Sequence, residues 1–199
     1  STAGQYVGGI VAVVDGGSVT NAKFAQGSNL YTTMNHVGGI AGMIGNDAVI
    51  SKCTVEAPVM SKYAYLGGIV GRMQSGTVSE CLVTSDAIVA ADKGNATNNG
   101  YYGTGGIVGM LETVAGKGTT VVIEKCACYT DVSGNIYVGG IVGDFIGNNP
   151  VVNARISECV FKGSISVAYK NSYSYGLSGG VIGCCHQSNS KGGQTKVTD

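Results

Sequence analysis

Gly67-Gly68-Ile69-Val70-Gly71 decides the reading of this chain, because it keeps returning. Gly105 to Gly109 and Gly139 to Gly143 repeat it letter for letter. Gly8-Gly9-Ile10-Val11-Ala12, Gly38-Gly39-Ile40-Ala41-Gly42 and Gly179-Gly180-Val181-Ile182-Gly183 vary it slightly. Six copies in 199 residues mark a repeat protein. Their first glycines stand at 8, 38, 67, 105, 139 and 179, so the steps are 30, 29, 38, 34 and 40 residues. A variable step over a shared minimum predicts loops inserted into a constant unit.

A second phrase follows each of the first five copies: Val19-Thr20-Asn21-Ala22, Ile50-Ser51-Lys52-Cys53, Val78-Ser79-Glu80-Cys81, Ile123-Glu124-Lys125-Cys126 and Ile156-Ser157-Glu158-Cys159. Beyond it, apolar residues alternate with polar ones. Phe24, Val55, Val83, Cys128 and Phe161 lie two places on, and Val59, Ala87, Val132 and Ile165 six places on. Period two is the signature of a strand. Turn-formers such as Asp15-Gly16-Gly17, Gly45-Asn46-Asp47 and Gln74-Ser75-Gly76 separate the two phrases. Each unit therefore reads as strand, turn, strand, turn, with two clear strands and room for a third.

A propeller blade needs four strands per repeat, whereas like residues at like positions fit coils that stack on one another. The expectation is an all-β chain, a parallel β-helix of about five to six rungs with loop insertions, over residues 1–199 as a single domain. At about 4.8 Å per rung, five intervals give a body roughly 24 Å long. Outer rungs would expose strand edges, and neither Ser1-Thr2-Ala3 nor the polar run from Ser188 to Asp199 reads as a cap. On that ground a fragment of a longer surface protein is expected.

Composition narrows the function classes. Twelve basic residues balance twelve acidic ones and only 12% of residues are charged, so no broad field exists to recruit nucleic acid or an anionic membrane. The longest aliphatic run, Ile10 to Val14, has five residues, against the roughly 20 of a spanning helix. The 34 glycines follow no Gly-X-Y period, which excludes collagen. Thr ladders of the ice-binding kind and calcium-binding nonapeptides are missing.

The glycine-hydrophobic-glycine runs, each followed by a turn, an (I/V)xxC phrase and an alternating strand, resemble the GLUG repeat of bacterial surface and secreted proteins over about residues 6 to 186. Such repeats occur beside adhesin modules and in zinc metallopeptidases whose activity belongs to a separate region carrying HExxH. This chain has no HExxH, so no catalytic residue carries over. The resemblance implies an extracellular, secreted or cell-surface scaffold.

Several positions merit weighing for chemistry. Cys53, Cys81, Cys126 and Cys159 share one place in four consecutive units, and Ala22 holds it in the first, so a column of small buried side chains is expected rather than a metal or redox wire. Disulfides along it are disfavoured, because a spacing near 4.8 Å exceeds the usual Cβ separation of about 3.8 Å. Cys184-Cys185-His186 lacks zinc-ligand spacing, and its neighbours point to opposite faces of a strand. Tyr6, His36, Tyr65 and Tyr137 each stand two places before a Gly-Gly and form a second column, either packing over bare glycine strands or lining a strip for sugar or peptide. Ile69 and Val70 cannot both point inward on a regular strand. Asn21, Lys52, Glu80, Lys125 and Glu158 precede the cysteine position, and their alternating signs predict a charge ladder.

Loops projecting from a rigid stack are the natural place for recognition. The insertions 86–104 and 168–178 contribute Asn99, Tyr101, Tyr102, Tyr169, Tyr173 and Tyr175 as candidate ligand-binding residues, in the vocabulary of antibody loops. The expected function is a non-catalytic module for adhesion, ligand binding or scaffolding, with a host or bacterial glycan or protein and neighbouring domains of the same chain as partners. No catalytic, metal or cofactor residue is expected. The alternative is a polysaccharide-active β-helix lyase or hydrolase, for which Asp131, Asp144, Arg155 and Lys162 are the available charged groups.

Overall fold

A computed structural model describes residues 5–62, 65–91, 102–114, 116–147, 153–168 and 176–187. Every regular element among them is a short strand, and all strand pairs are parallel. The chain winds as a parallel β-helix of five full coils and the first two strands of a sixth, as the repeat predicts.

Five sheets run along the axis. Sheet 1 holds Tyr6–Gly8, His36–Gly38, Tyr65–Gly67, Gly103–Gly105, Tyr137–Gly139 and Leu177–Gly179. Sheet 2 holds Val11–Asp15, Ala41–Gly45, Val70–Met73, Val108–Glu112, Val142–Gly147 and Ile182–Gln187. Sheet 3 runs from Ser18–Thr20 through Val49–Ser51, Gly76–Ser79 and Thr120–Glu124 to Asn153–Ser157. Sheet 4 comprises Lys23–Phe24, Thr54–Val55, Leu82–Val83, Ala127–Cys128 and Val160–Phe161. Sheet 5 comprises Leu30–Thr32, Val59–Ser61, Val89–Ala91, Val132–Gly134 and Ile165–Val167. A coil thus carries five strands rather than two or three. Most have two to five residues, too few for alternation to stand out in the sequence.

The repeated phrase is a corner, and this removes the conflict between Ile69 and Val70. The chain bends at Gly68 and Ile69, between Tyr65–Gly67 and Val70–Met73, and both Ile69 and Val70 are fully buried. The bends stack: Gly39 N donates to Gly68 O at 3.1 Å and Ile40 N to Ile69 O at 3.0 Å. Close approach explains the glycines. A Cβ on Gly38 would stand 2.7 Å from Gly71 N, and one on Gly68 would stand 2.7 Å from Val83 Cγ2. The third glycine fits because sheet 2 lies directly on sheet 1, so that a Cβ on Gly42 would stand 2.5 Å from Val7 N.

The corner from sheet 3 to sheet 4 is equally constant, and it corrects the charge-ladder expectation. Asn21, Lys52, Glu80, Lys125 and Glu158 all adopt left-handed φ between 52° and 57°, with exposed side chains. They turn the chain so that the next side chain enters the core. The ion pairs among the described residues run elsewhere, as Lys23–Glu56 at 2.8 Å, Arg155–Glu124 at 2.6 Å and Arg72–Glu112.

The interior is a set of like-on-like columns. Ile40, Ile69, Ile107 and Ile141 are fully buried, while Ile10 and Val181 at the same place in the outer coils are 46% and 40% exposed. Cys53, Cys81 and Cys126 are buried and Cys159 half-buried. Leu82 N donates to Cys53 O, Ala127 N to Cys81 O and Val160 N to Cys126 O, each at 2.9 Å, so each cysteine lies over its counterpart one coil away.

Candidate functional site

The Gly-Gly corners bring the outer residues of sheets 1 and 2 together, and the most concentrated chemistry among the described residues lies there. Sheet 1 contributes the ring column. Tyr6 pairs with His36, His36 with Tyr65, Gly103 with Tyr137, and Tyr137 with Leu177. Tyr6 and His36 have ring centroids 5.0 Å apart, and His36 and Tyr65 5.1 Å apart with 18° between planes. Gly103 interrupts the column. Tyr102 replaces the missing ring from one residue earlier, its centroid 6.1 Å from that of Tyr65 at 70°.

Sheet 2 contributes a column of unlike residues in register: Val13, Met43, Arg72, Met110, Asp144 and Cys184. Arg72 is the hub. Its Nη1 donates to Tyr6 Oη at 3.1 Å, and its Nη2 pairs with Glu112 Oε2. Asp144 is fully buried against the gap left by Gly103, where a Cβ would stand 2.7 Å from the Asp144 Cβ.

Burial sets the electrostatics. Desolvation, then the Arg72 guanidinium, holds the His36 imidazole down to about 4, so at neutral pH it is an uncharged ring between two phenols. Desolvation, then the Glu112 carboxylate, pushes Asp144 up to about 7. Burial followed by Asp144 and Glu112 also raises the Tyr65 phenol. Cys184 is raised by burial and then by Asp144 and Cys185. The result is a half-buried strip of stacked rings backed by one guanidinium and two carboxylates.

The four charged groups considered for catalysis do not converge. Asp131 Oδ1 accepts from Ser164 N at 2.7 Å, Arg155 pairs with Glu124, and Lys162 is exposed after sheet 4. Asp144 alone joins the strip, together with Arg72 and Glu112, which sequence reasoning missed. A column whose members are Val, Met, Arg, Met, Asp and Cys carries no repeat signal. Among the described residues, no three His, Cys, Asp or Glu side chains form a group able to enclose a metal ion.

Of the candidate loop residues, Tyr102 is half-buried on Tyr65, at the end of the 86–104 insertion. Asn99, Tyr101, Tyr169, Tyr173 and Tyr175 lie outside the described residues. Both of their segments join sheet 5 to sheet 1, between Val89–Ala91 and Gly103–Gly105 and between Ile165–Val167 and Leu177–Gly179. The longest described insertion, 113–119, leaves another corner and is tied back by its backbone. Thr120 N donates to Asp47 Oδ1 at 2.9 Å, and Asn46 N to Lys117 O at 3.0 Å. No family model, no curated protein and no solved structure matches this chain.

Proposed function

We propose that this chain is a non-catalytic extracellular β-helix module that displays loops for adhesion or ligand binding at a bacterial cell surface. Its resemblance to GLUG repeats supports that setting. One observation carries the reading. The 92–101 and 169–175 segments enter the strands of sheet 1, whose outer face bears Tyr6, His36, Tyr65 and Tyr102. The rings provide stacking surface, and the Tyr, Asn and Ser of those segments provide adaptable hydrogen-bonding groups, a combination that suits a glycan or a protein epitope. Neighbouring domains of the same chain are further partners under this reading.

A glycan array and a pull-down against surface proteins, run with the intact chain, test it. Binding that falls at least tenfold in Tyr102→Ala, or when 92–101 is replaced by two residues, without a change in melting, supports the module. Absence of any ligand, or binding indifferent to both changes, overturns it. A polysaccharide-active enzyme remains a second reading because Asp144, pushed up to about 7 beside Glu112, has the protonation of a general acid near neutrality. Its complete burial weighs against that role, since a substrate must touch the acid. Cleavage across a panel of uronate and neutral glycans, abolished in Asp144→Asn, would establish it.

A further inference from the structure

The thiol column has a geometry that core packing does not require. None of the seven cysteines is joined in a disulfide. Within the column each sulfur has two carbonyl acceptors within reach of its one proton. Cys126 Sγ reaches Glu124 O at 3.3 Å and Val78 O at 3.6 Å, and Cys159 Sγ reaches Ser157 O at 3.3 Å and Ile123 O at 3.7 Å. The four sulfurs therefore occupy equivalent places in successive coils, which follow one another at a spacing of about 4.8 Å. That is too wide for an unstrained disulfide, whose Cβ atoms lie about 3.8 Å apart. It suits a linear sulfur–metal–sulfur bridge, since two bonds of about 2.3 Å, the zinc–thiolate length, span about 4.6 Å.

We propose that Cys126 and Cys159 form a two-coordinate site for a soft divalent cation of the mercuric type, held linearly between thiolates of adjacent coils. Thiolate sulfur selects soft cations, and two-fold coordination needs no third donor. The exchange balances. A divalent cation replaces the two thiol protons, two metal–sulfur bonds form, two S–H bonds break, and two protons leave to solvent. The bridged pair is neutral, so the apolar interior receives no net charge.

Position selects this pair from the four cysteines. Cys159 is the half-buried member, at the open end of the column, whereas Cys53 and Cys81 are enclosed. Its exposure makes Cys159 the sulfur that an entering ion meets first.

The test uses the whole chain, reduced and titrated with mercuric chloride, in a background carrying Cys128→Val, Cys184→Ser and Cys185→Ser. Valine already occupies the position of Cys128 in two other coils, at Val55 and Val83. The expected result is one tightly bound ion per chain, two protons released and an ultraviolet mercury–thiolate band. Cys126→Ala and Cys159→Ala should each weaken binding at least a hundredfold, while Cys53→Ala leaves it unchanged. Alanine is tolerated at this place, since Ala22 fills it in the first coil. The same single variants made in the unaltered chain keep the comparison valid should the triple background fold poorly. Equal affinity in Cys159→Ala and Cys53→Ala, loss on Cys81→Ala in place of Cys159→Ala, or release of one proton per ion overturns the assignment.

Discussion

The imidazole of His36 lies nearly flat on the phenol of Tyr65, with centroids 5.1 Å apart and 18° between planes, where its register partners are tyrosines. Burial, then the Arg72 guanidinium, favours the neutral ring, and the His36 value falls from 6.5 in the unfolded chain to about 4 in the folded one. The group therefore contributes stability that is fully present above pH 6.5. It is lost as pH falls from 6.5 to about 4, where the unfolded state binds a proton and the folded state does not. The difference in unfolding free energy between wild type and His36→Tyr should shift against wild type by on the order of 3 kcal/mol across that window. Urea melts at half-unit steps of pH measure it, and a constant difference would mean that His36 is solvated.

Asp144 predicts the opposite slope. Its folded value, raised to about 7 from 3.8, means that the folded state keeps a proton which the unfolded state has already released. Stability falls as pH rises from about 4 to 7 and levels off above. Asp144→Asn should remove this fall, making the variant the more stable of the two at pH 8 relative to their difference at pH 4, by a few kcal/mol. Thermal melts at the two pH values decide the sign.

Ile107 and Ile10 occupy the same corner, but Ile107 is fully buried and Ile10 is 46% exposed. Ile107→Asp places an unpaired carboxylate in the core and should cost more than about 4 kcal/mol, enough to unfold the chain or nearly so. Ile10→Asp should cost less than about half of that. Denaturant midpoints with similar losses in both variants would contradict the stacked-column interior.

Gly140 and Gly180 form a similar pair. A Cβ on Gly140 would press into the Phe161 ring, 2.6 Å from Cδ1, whereas one on Gly180 would meet nothing within 4 Å. Gly140→Ala should destabilise by about 1–3 kcal/mol through overpacking, while Gly180→Ala stays within about 0.5 kcal/mol of wild type. Circular-dichroism melts of the two proteins provide the comparison.

Glu80 turns the chain with φ at 54°, a conformation that asparagine tolerates better than glutamate, and Asn21 already fills the same corner in the first coil. Glu80→Asn should raise stability by roughly 0.5–1 kcal/mol, because the exposed carboxylate gives up no ion pair. An unchanged or lower melting temperature would show that the glutamate side chain has a role at this corner.

Stacking makes repetition visible, which is why the solenoid, its Cys column and its ring column could be read from Gly67-Gly68-Ile69-Val70-Gly71 and Ile50-Ser51-Lys52-Cys53 alone. Legibility stopped where repetition stopped. The bend at Gly68-Ile69 could not be told from a strand by composition, because its glycines answer to backbone atoms from the neighbouring coil. The left-handed corner was hidden by lysine and glutamate, which seldom adopt that conformation and here read as exposed strand charges. Arg72, Glu112 and Asp144 meet because three successive strands of sheet 2 stack in register, and neither Arg72 nor Asp144 has a like charge at its place in another coil.

Strand-to-strand hydrogen bonds that run along the axis also determine how the molecule comes apart. An inner coil is held from both sides, an outer coil from one, and Ile10 and Val181 lack the cover that Ile69 and Ile107 enjoy. Opening therefore begins at the extremities and travels inward, so amide protons around residues 68 to 71 exchange last and those around residue 10 among the first. Resistance to a protease or to a pulling force is for the same reason a property of the array: adding a coil lengthens the protected middle without making any single coil stronger.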